Sequence, residues 1–591
     1  MPVCPDSSSV LVVGAGPAGL AIALSLARAR IPVRLIDKRL APATHSRAIG
    51  IQARTLELLE QHRVVEPFLE LGHRAHAVNL YSHTHRLARL DFEPLHTRYP
   101  YLLFLDQTVT ERLLSEHLAT LGVEIERGVE LIEFTHGSAG LSATLQRADG
   151  HRETLRPDYL VAADGAHSTV RHRLGLGFAG KTFEQTFLLA DVQGQTEWPD
   201  DELHLFASSA GLTGLFPLGA GRYRMIADLP GVPAQETSAP GAEASALSMS
   251  PLASLASSTS SASPTPLAPD AAPSFEVCRA IVEQRVGFPV HLTQMLWSSY
   301  FRVNSRMVEQ MRSGRVFLVG DAAHVHSPAG AQGMNTGIQE AFNLGWKLAR
   351  VLSAGAPDAL LDTFHAERHP VAAKVLRQSS VMTQMAQADH GPLKLLREHV
   401  MPLLASFGPL RDAARAMVSE LAVRYRHSPL TLERMLDGGA RAGERAPDAN
   451  VHVLDGPLGV APGSARLYEL HDPAWFSLWL LVEPTPQVSL EGDASLAVLD
   501  PALKWLVAGL EPWLSGALRV WCVTDAPEPG MPSLTEAYGQ TRPAFYLVRP
   551  DGYICARGRP GPDLEAVLRH SETWFTAASV AAVASAATDE R

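Results

Sequence analysis

The stretch VLVVGAGPAGLAIALSLARARIPVRLID, from Val10 to Asp37, constrains this chain more than any other. An apolar run stops at Gly14, a helix-spaced apolar pattern runs from Pro17 to Ala29, and a second apolar run leads to Asp37. The spacing predicts strand, tight turn, helix and strand. Within the turn, Gly14, Gly16 and Gly19 keep the G-x-G-x-x-G spacing, and each has a physical task. Gly14 makes the turn, Gly16 lets a pyrophosphate approach the backbone, and Gly19 allows close helix–strand packing. Pro17 and Ala18 open the helix, whose unpaired N–H groups favour an anion. Asp37, at the end of the second strand, can accept from ribose hydroxyls, so the unit implies an adenine dinucleotide.

The chain supplies its own control. Gly175-Leu-Gly177-Phe-Ala-Gly180 has the same spacing, but "VRHRL" precedes it and no helical pattern follows, so a loop is expected there. Val10 to Ala27 is uncharged and long enough to resemble a membrane span. No basic residue precedes it, however, and glycines interrupt its middle.

Two further strand-like runs end in acids. "DYLVAADGAHSTVRHRLG" breaks at Asp164-Gly165, with Ser168 and Arg171 following, and "VFLVGDAAHVHSPAGAQGMNTGIQEAFNLGWKLA" breaks at Gly320-Asp321. In the second, apolar positions recur at helical steps from Met334 or Asn335 onward, and no Lys, Arg, Asp or Glu follows Asp321 until Glu340. A helix N-terminus facing an uncharged loop suits a phosphate or an electron-rich ring edge, and Asp321 suits a polyol hydroxyl. On this stretch alone, a buried Asp capping the turn accounts for the pattern equally well. In open α/β sheets ligands sit at the carboxyl ends of strands, so Gly14 to Gly19, Asp164 and Asp321 are expected to converge on one extended ligand.

At 591 residues the chain needs two to four cores. Its 46% hydrophobic and 19% charged residues are those of a globular protein, and its net charge of −11 argues against nucleic-acid or anionic-membrane partners. The four cysteines lack CxxC spacing and fit a reducing cytoplasm. Alternating runs between Phe183 and Tyr300 predict an antiparallel sheet. They are interrupted by a Ser-, Ala- and Pro-rich insertion over 231–273, expected to be disordered. Helical segments reach about residue 435, and a small α/β unit follows.

Together, Gly14 to Gly19 with Asp37, Asp164-Gly165 and Gly320-Asp321 with its helix resemble the single-component FAD-dependent aromatic hydroxylases, the p-hydroxybenzoate and phenol hydroxylase group. "ARAGERAPD" and "LVRPDGYICARG" resemble the thioredoxin-like domain of the polyketide hydroxylase and rifampicin monooxygenase branch. The resemblance implies an α/β chain. A Rossmann-like FAD-binding domain (1–182 and 300–435) would carry an inserted antiparallel substrate sheet (183–299), a thioredoxin-like domain (436–576) and a disordered tail (577–591). It implies FAD, transient NADPH or NADH, dioxygen, a small aromatic substrate hydroxylated via a flavin C4a-hydroperoxide, and a homodimer.

By the same resemblance, Asp37 and its neighbour Lys38 lie at the adenosine ribose, Asp321 on the ribitol chain, and Arg47 and Gln107 beside the flavin. Pro328, Gly333, Met334 and Asn335 lie near its ring. Read without it, Arg47 is a solvent-facing charge and Gln107 a helix N-terminal residue. Where the phenol hydroxylase pattern has an acid, this chain has Ile49, which turns the expectation from simple phenol towards polyketide-like aromatics. His204, Tyr223 and Arg224 fall in the substrate sheet without an assigned role. His83 and His85, like His324 and His326, lack a third metal ligand at useful spacing. The rival readings are a flavin halogenase or reductase and a non-catalytic redox sensor. The first is weakened by the absence of a WxWxIP-like stretch, and the second by retention of the uncharged loop.

Overall fold

The computed structural model describes residues 9–575 except 45–47, 139, 209, 230–271, 328–329, 331, 387–407, 435, 437, 458–461, 483–500, 515, 527–531, 541 and 562. Arg47, Pro328, nearly all of the 231–273 insertion and the 577–591 tail therefore lie outside the described residues.

The strand Val10–Val13 is buried at every position because it runs through the middle of a parallel sheet. It pairs with Val33–Asp37 on one side and Tyr159–Ala162 on the other. Ile125–Arg127 and Val316–Leu318 extend the sheet outward. Each fully buried Val or Leu contributes about 1.5–3 kcal/mol. The helix Pro17–Arg28 and the long helix Gly333–Ala354 pack tightly on each other. A Cβ at Gly345 would stand 2.3 Å from Ser25 Oγ, so only glycine permits this approach. The long helix starts one residue ahead of the predicted Met334, within the ordinary scatter of helix ends.

The second sheet has eight strands. In spatial order they are His324–Val325, Val290–Val308, Phe178–Thr196, Arg222–Leu229, Gly211–Gly219, Glu202–Ser208, Ala77–Ser82 and His85–Asp91. It is wider than the 183–299 range expected from sequence. Two strands come from residues 77–91, recruited by parallel pairing of Ala77–Ser82 with Glu202–Ser208 across more than a hundred residues. Gly180, expected in a loop, lies in the strand Phe178–Thr196, where a Cβ would meet Ser305 O at 2.0 Å. That glycine serves strand packing.

One face of this sheet is covered by the helix Phe275–Arg285, with Phe206, Leu215 and Met225 against Cys278 and Ile281. The inner face turns toward the parallel-sheet unit, with Leu203, Leu205 and Phe216 against Ile49, Phe92 and Phe104.

The C-terminal unit is a six-stranded sheet in the order Gly463–Arg466, Asn450–Asp455, Leu518–Asp525, Phe476–Leu481, Ala544–Val548, Ile554–Gly558. Its core receives Trp346 from the long helix, edge-on to Phe476 at 5.6 Å. Among the described residues, no helix is long and apolar enough to cross a membrane.

Candidate functional site

Three turns meet at the carboxyl edge of the parallel sheet, as the sequence predicted. The first is Gly14 to Gly19. Gly14 has φ +104°, its N–H donates to Ile36 O at 2.8 Å, and a Cβ there would stand 2.3 Å from Ala163 O. A Cβ on Gly19 would lie 1.8 Å from Gly14 O. Gly16, by contrast, has nothing within 4 Å of its would-be Cβ, and Pro17 and Ala18 follow it with no acid in the first helical turn. The helix therefore presents an open, uncharged N-terminus to an anion.

Asp37 ends the neighbouring strand. Its Oδ2 accepts from Ala15 N–H at 3.0 Å and Arg39 Nη2 at 3.1 Å, and its Oδ1 accepts from Arg39 N–H at 2.8 Å and Arg39 Nε at 3.3 Å. Burial pushes this carboxyl up, but the Arg39 guanidinium and the two backbone N–H groups outweigh it and hold it below the usual value. Four donors fill the acceptor positions of the carboxylate. Lys38 is exposed, and its neighbour Arg39 makes the contact that sequence reasoning missed.

The second turn follows Tyr159–Ala162. Asp164 Oδ2 accepts from Val170 N–H at 3.3 Å, while its Oδ1 is buried without a partner. Burial raises this carboxyl, and donors from Ser168 and the nearby backbone oppose the rise. Arg171, buried and stacked 3.9 Å over Phe178, donates to Ala166 O at 2.8 Å and Ala322 O at 3.1 Å. It ties the second turn to the third.

That third turn is Gly320–Ala322. Gly320 has φ +57°, and its would-be Cβ lies 3.2 Å from the Ala18 Cβ, so the first and third turns touch. Asp321 is exposed at this junction. Beyond it the long helix begins at Gly333, with Met334 half-buried and Asn335 fully buried. The Asn335 side chain clasps the strand Gly50–Ile51, its Nδ2 donating to Gly50 O at 2.9 Å and its Oδ1 accepting from Gln52 N–H at 3.0 Å. What this helix start offers a ligand is therefore backbone. Gln107 Oε1 accepts from Ala48 N–H at 3.3 Å, next to Arg47, and its Nε2 donates to Glu111 at 2.9 Å.

Asp106, the N-cap of the Gln107 helix, does not cap it. Its carboxylate reaches Arg222 and Arg224 at 3.3 Å, and Arg224 also grips Asp191 at 2.7 and 2.8 Å. Arg224 thus stands on the inner sheet face and couples it to the Gln107 helix. His204 and Tyr223 lie on the opposite face. His204 stacks 4.7 Å from Trp198, and the Tyr223 hydroxyl meets Thr196 at 3.0 Å. His324 pairs with Glu340, and His326 Nδ1 donates to Ser327 O. Glu340 was passed over in the sequence. Its signal was the first charge after Asp321, two turns inside the helical run.

The cradle fits a dinucleotide on three grounds: open space at Gly16, an unpartnered buried Asp164 oxygen and a neutral helix start.

The model of the FAD binding domain family matches residues 7–379. The chain is 34% identical over 574 residues to the 6-methylpretetramide 4-monooxygenase of Streptomyces rimosus, covering 95% of this chain and 92% of that one. It is 31% identical over 575 residues to the rifampicin monooxygenase of Streptomyces venezuelae, covering 96% and 99%. Among solved structures it resembles the anhydrotetracycline hydroxylase OxyS from Streptomyces rimosus, with a TM-score of 0.70 and 28% identity over 96% of this chain and 99% of that one.

Proposed function

The chain belongs to the FAD binding domain family and is an FAD-dependent aromatic monooxygenase, and from that premise we propose that it hydroxylates a polyketide-like, fused-ring aromatic held against the inner sheet face. The observation that carries this reading is the face itself. Leu205, Leu212, Phe216, Ile226 and Phe301 are half-buried there, and Ile49 and Phe104 continue the apolar wall. So broad an apolar surface suits several fused rings better than one phenol ring. Ile49 offers no acceptor for a phenolic proton. The relatives named for 6-methylpretetramide, rifampicin and anhydrotetracycline support the same substrate class.

In this reading FAD lies along the carboxyl edge. Gly14, Gly16, Pro17, Ala18 and Gly19 hold its pyrophosphate, Asp37 its adenosine ribose with Lys38 alongside, and Asp164, Gly320 and Asp321 its ribitol side. The backbone of Gly333 to Asn335 faces the ring, with Arg47, Gln107 and Pro328 beside it. When bound, FAD supplies activated oxygen, drawing electrons from transiently bound NADPH or NADH. The chain's own contribution is to orient the substrate and to exclude water with the apolar wall. The reading extends to a cytoplasmic homodimer.

A thioredoxin-like assignment of the last unit is supported by its parallel pair Phe476–Leu481 and Leu518–Asp525, followed by the hairpin Ala544–Val548 and Ile554–Gly558. Burial pushes the Cys522 and Cys555 thiols up to about 12, so the unit acts structurally and not by thiol exchange.

The test is anaerobic stopped-flow reduction of bound flavin by NADPH and by NADH, with a panel from phenols to tetracyclic aromatics. Acceleration of tenfold or more by tetracyclic compounds alone is expected. Acceleration by simple phenols alone would overturn the substrate class.

A further inference from the structure

Glu340 lies fully buried two turns into the helix Gly333–Ala354, and both of its oxygens point out of that helix to the turn that carries Asp321. Its Oε2 accepts from the Gly320 N–H at 2.9 Å, and its Oε1 meets His324 Nε2 at 2.7 Å. These two partners bracket Asp321 in the chain. One turn nearer the helix start, Gly337 completes the contact, because a Cβ there would stand 3.1 Å from Gly320 Cα. A buried carboxylate stripped of such partners is strongly unfavourable, so the turn and the helix are held as one body.

We propose that Glu340 is a positioning residue that fixes Asp321 against the start of the helix Gly333–Ala354 and thereby sets the affinity for FAD. The inference rests on the placement of FAD proposed above. Reach is the property that matters, because one side chain must touch two donors at once. Aspartate keeps the charge but is shorter by about 1.5 Å, one carbon–carbon bond. Glutamine keeps the reach, its oxygen placed to accept from the Gly320 N–H and its amide to face the His324 ring.

The experiment titrates FAD into apoprotein and follows flavin fluorescence, with circular dichroism and apoprotein melting confirming that each variant is folded. Glu340→Gln is expected to bind FAD within threefold of the wild type, and Glu340→Asp at least tenfold more weakly. In an Asp321→Ala background, Glu340→Asp is expected to add less than twofold, since it acts through Asp321. If Glu340→Asp does not fold, His324→Phe removes one of the two partners and carries the same expectation. Equal weakening by Gln and Asp, or full multiplication of the effect over Asp321→Ala, would overturn the role of Glu340 alone. An Asp321→Ala protein that binds FAD as tightly as the wild type would overturn the cofactor placement, and this inference with it.

Discussion

Asp37 and Glu420 are both buried carboxyls, set to opposite states by what stands next to them. Asp37 is held ionised by Arg39 and by the Ala15 and Arg39 N–H groups. The Arg39 side chain is exposed and occupies acceptor positions that a ribose needs. With the Arg39 side of the pair exposed, the ion pair is worth no more than about 1 kcal/mol, so Arg39→Ala should tighten FAD binding by up to about fivefold, read by titration of apoprotein. Glu420 has φ +57°, and it receives Thr336 Oγ1 at 3.4 Å and the Gln339 amide. Burial outweighs the Arg368 charge and those donors, and pushes its carboxyl up to about 7. The folded protein therefore keeps a proton there that the unfolded chain releases. Its stability falls as pH rises through the interval between the ordinary glutamate value and 7, and the penalty is complete above 7. Glu420→Gln should stabilise the protein by about 3 kcal/mol at pH 8 and by almost nothing at pH 4, measured by urea unfolding at each pH.

At the scale of elements, the helix Gly333–Ala354 has a differently built contact on each side. Gly337 and Gly345 press on the first helix and the Gly320 turn, Asn335 and Gln339 face the segment Gly50 to Thr55, and Asn343 and Lys347 face Glu367. A Cβ on Gly345 would stand 2.5 Å from Ser25 Cβ, which cannot rotate away. Gly345→Ala should cost about 1–3 kcal/mol in thermal unfolding, and Ser25→Gly in the same chain should recover part of it.

The glycines of such contacts were readable in the sequence where their demand is local. Gly14 and Gly19 are required by a turn and a helix that follow within a few residues, and Gly320-Asp321 by the end of one strand. Asn335 was placed near the ring, but its side chain is claimed by Gly50 and Gln52, more than 280 positions away. A separation of 118 positions hid Asp106 from Arg224, and the pairing of residues 77–82 with 202–207 left no periodic signal of its own. Local chemistry is written locally, whereas a partner brought in by the fold leaves no mark in the neighbouring letters.

Across the whole molecule, the C-terminal unit is fastened by four buried charges that balance: Lys347 and Glu367 from two helices of the cofactor-binding unit, and Arg549 and Asp551 from the turn after Ala544–Val548. Arg549 Nη1 donates to Glu367 at 2.6 Å, and Lys347 Nζ reaches Glu367 at 2.8 Å. Burial presses the Lys347 amine down to about 8 even with that carboxylate beside it. Arg549→Met leaves two carboxylates facing one lysine and should destabilise the protein by about 3–5 kcal/mol in urea unfolding. A loss under 1 kcal/mol would mean that the remaining contacts, among them Trp346 on Phe476 and the Arg445–Glu57 ion pair, hold the units without this cluster. Every residue from Asn335 to Arg350 is buried, so the helix that joins the cofactor cradle to this cluster has no solvent side along those sixteen positions. Random change there is paid in folding before it can alter selectivity. The half-buried positions Leu205, Leu212, Phe216, Ile226 and Phe301 are under no such constraint, and a library built to re-aim this catalyst at other ring systems belongs on them, with the helix left as it is.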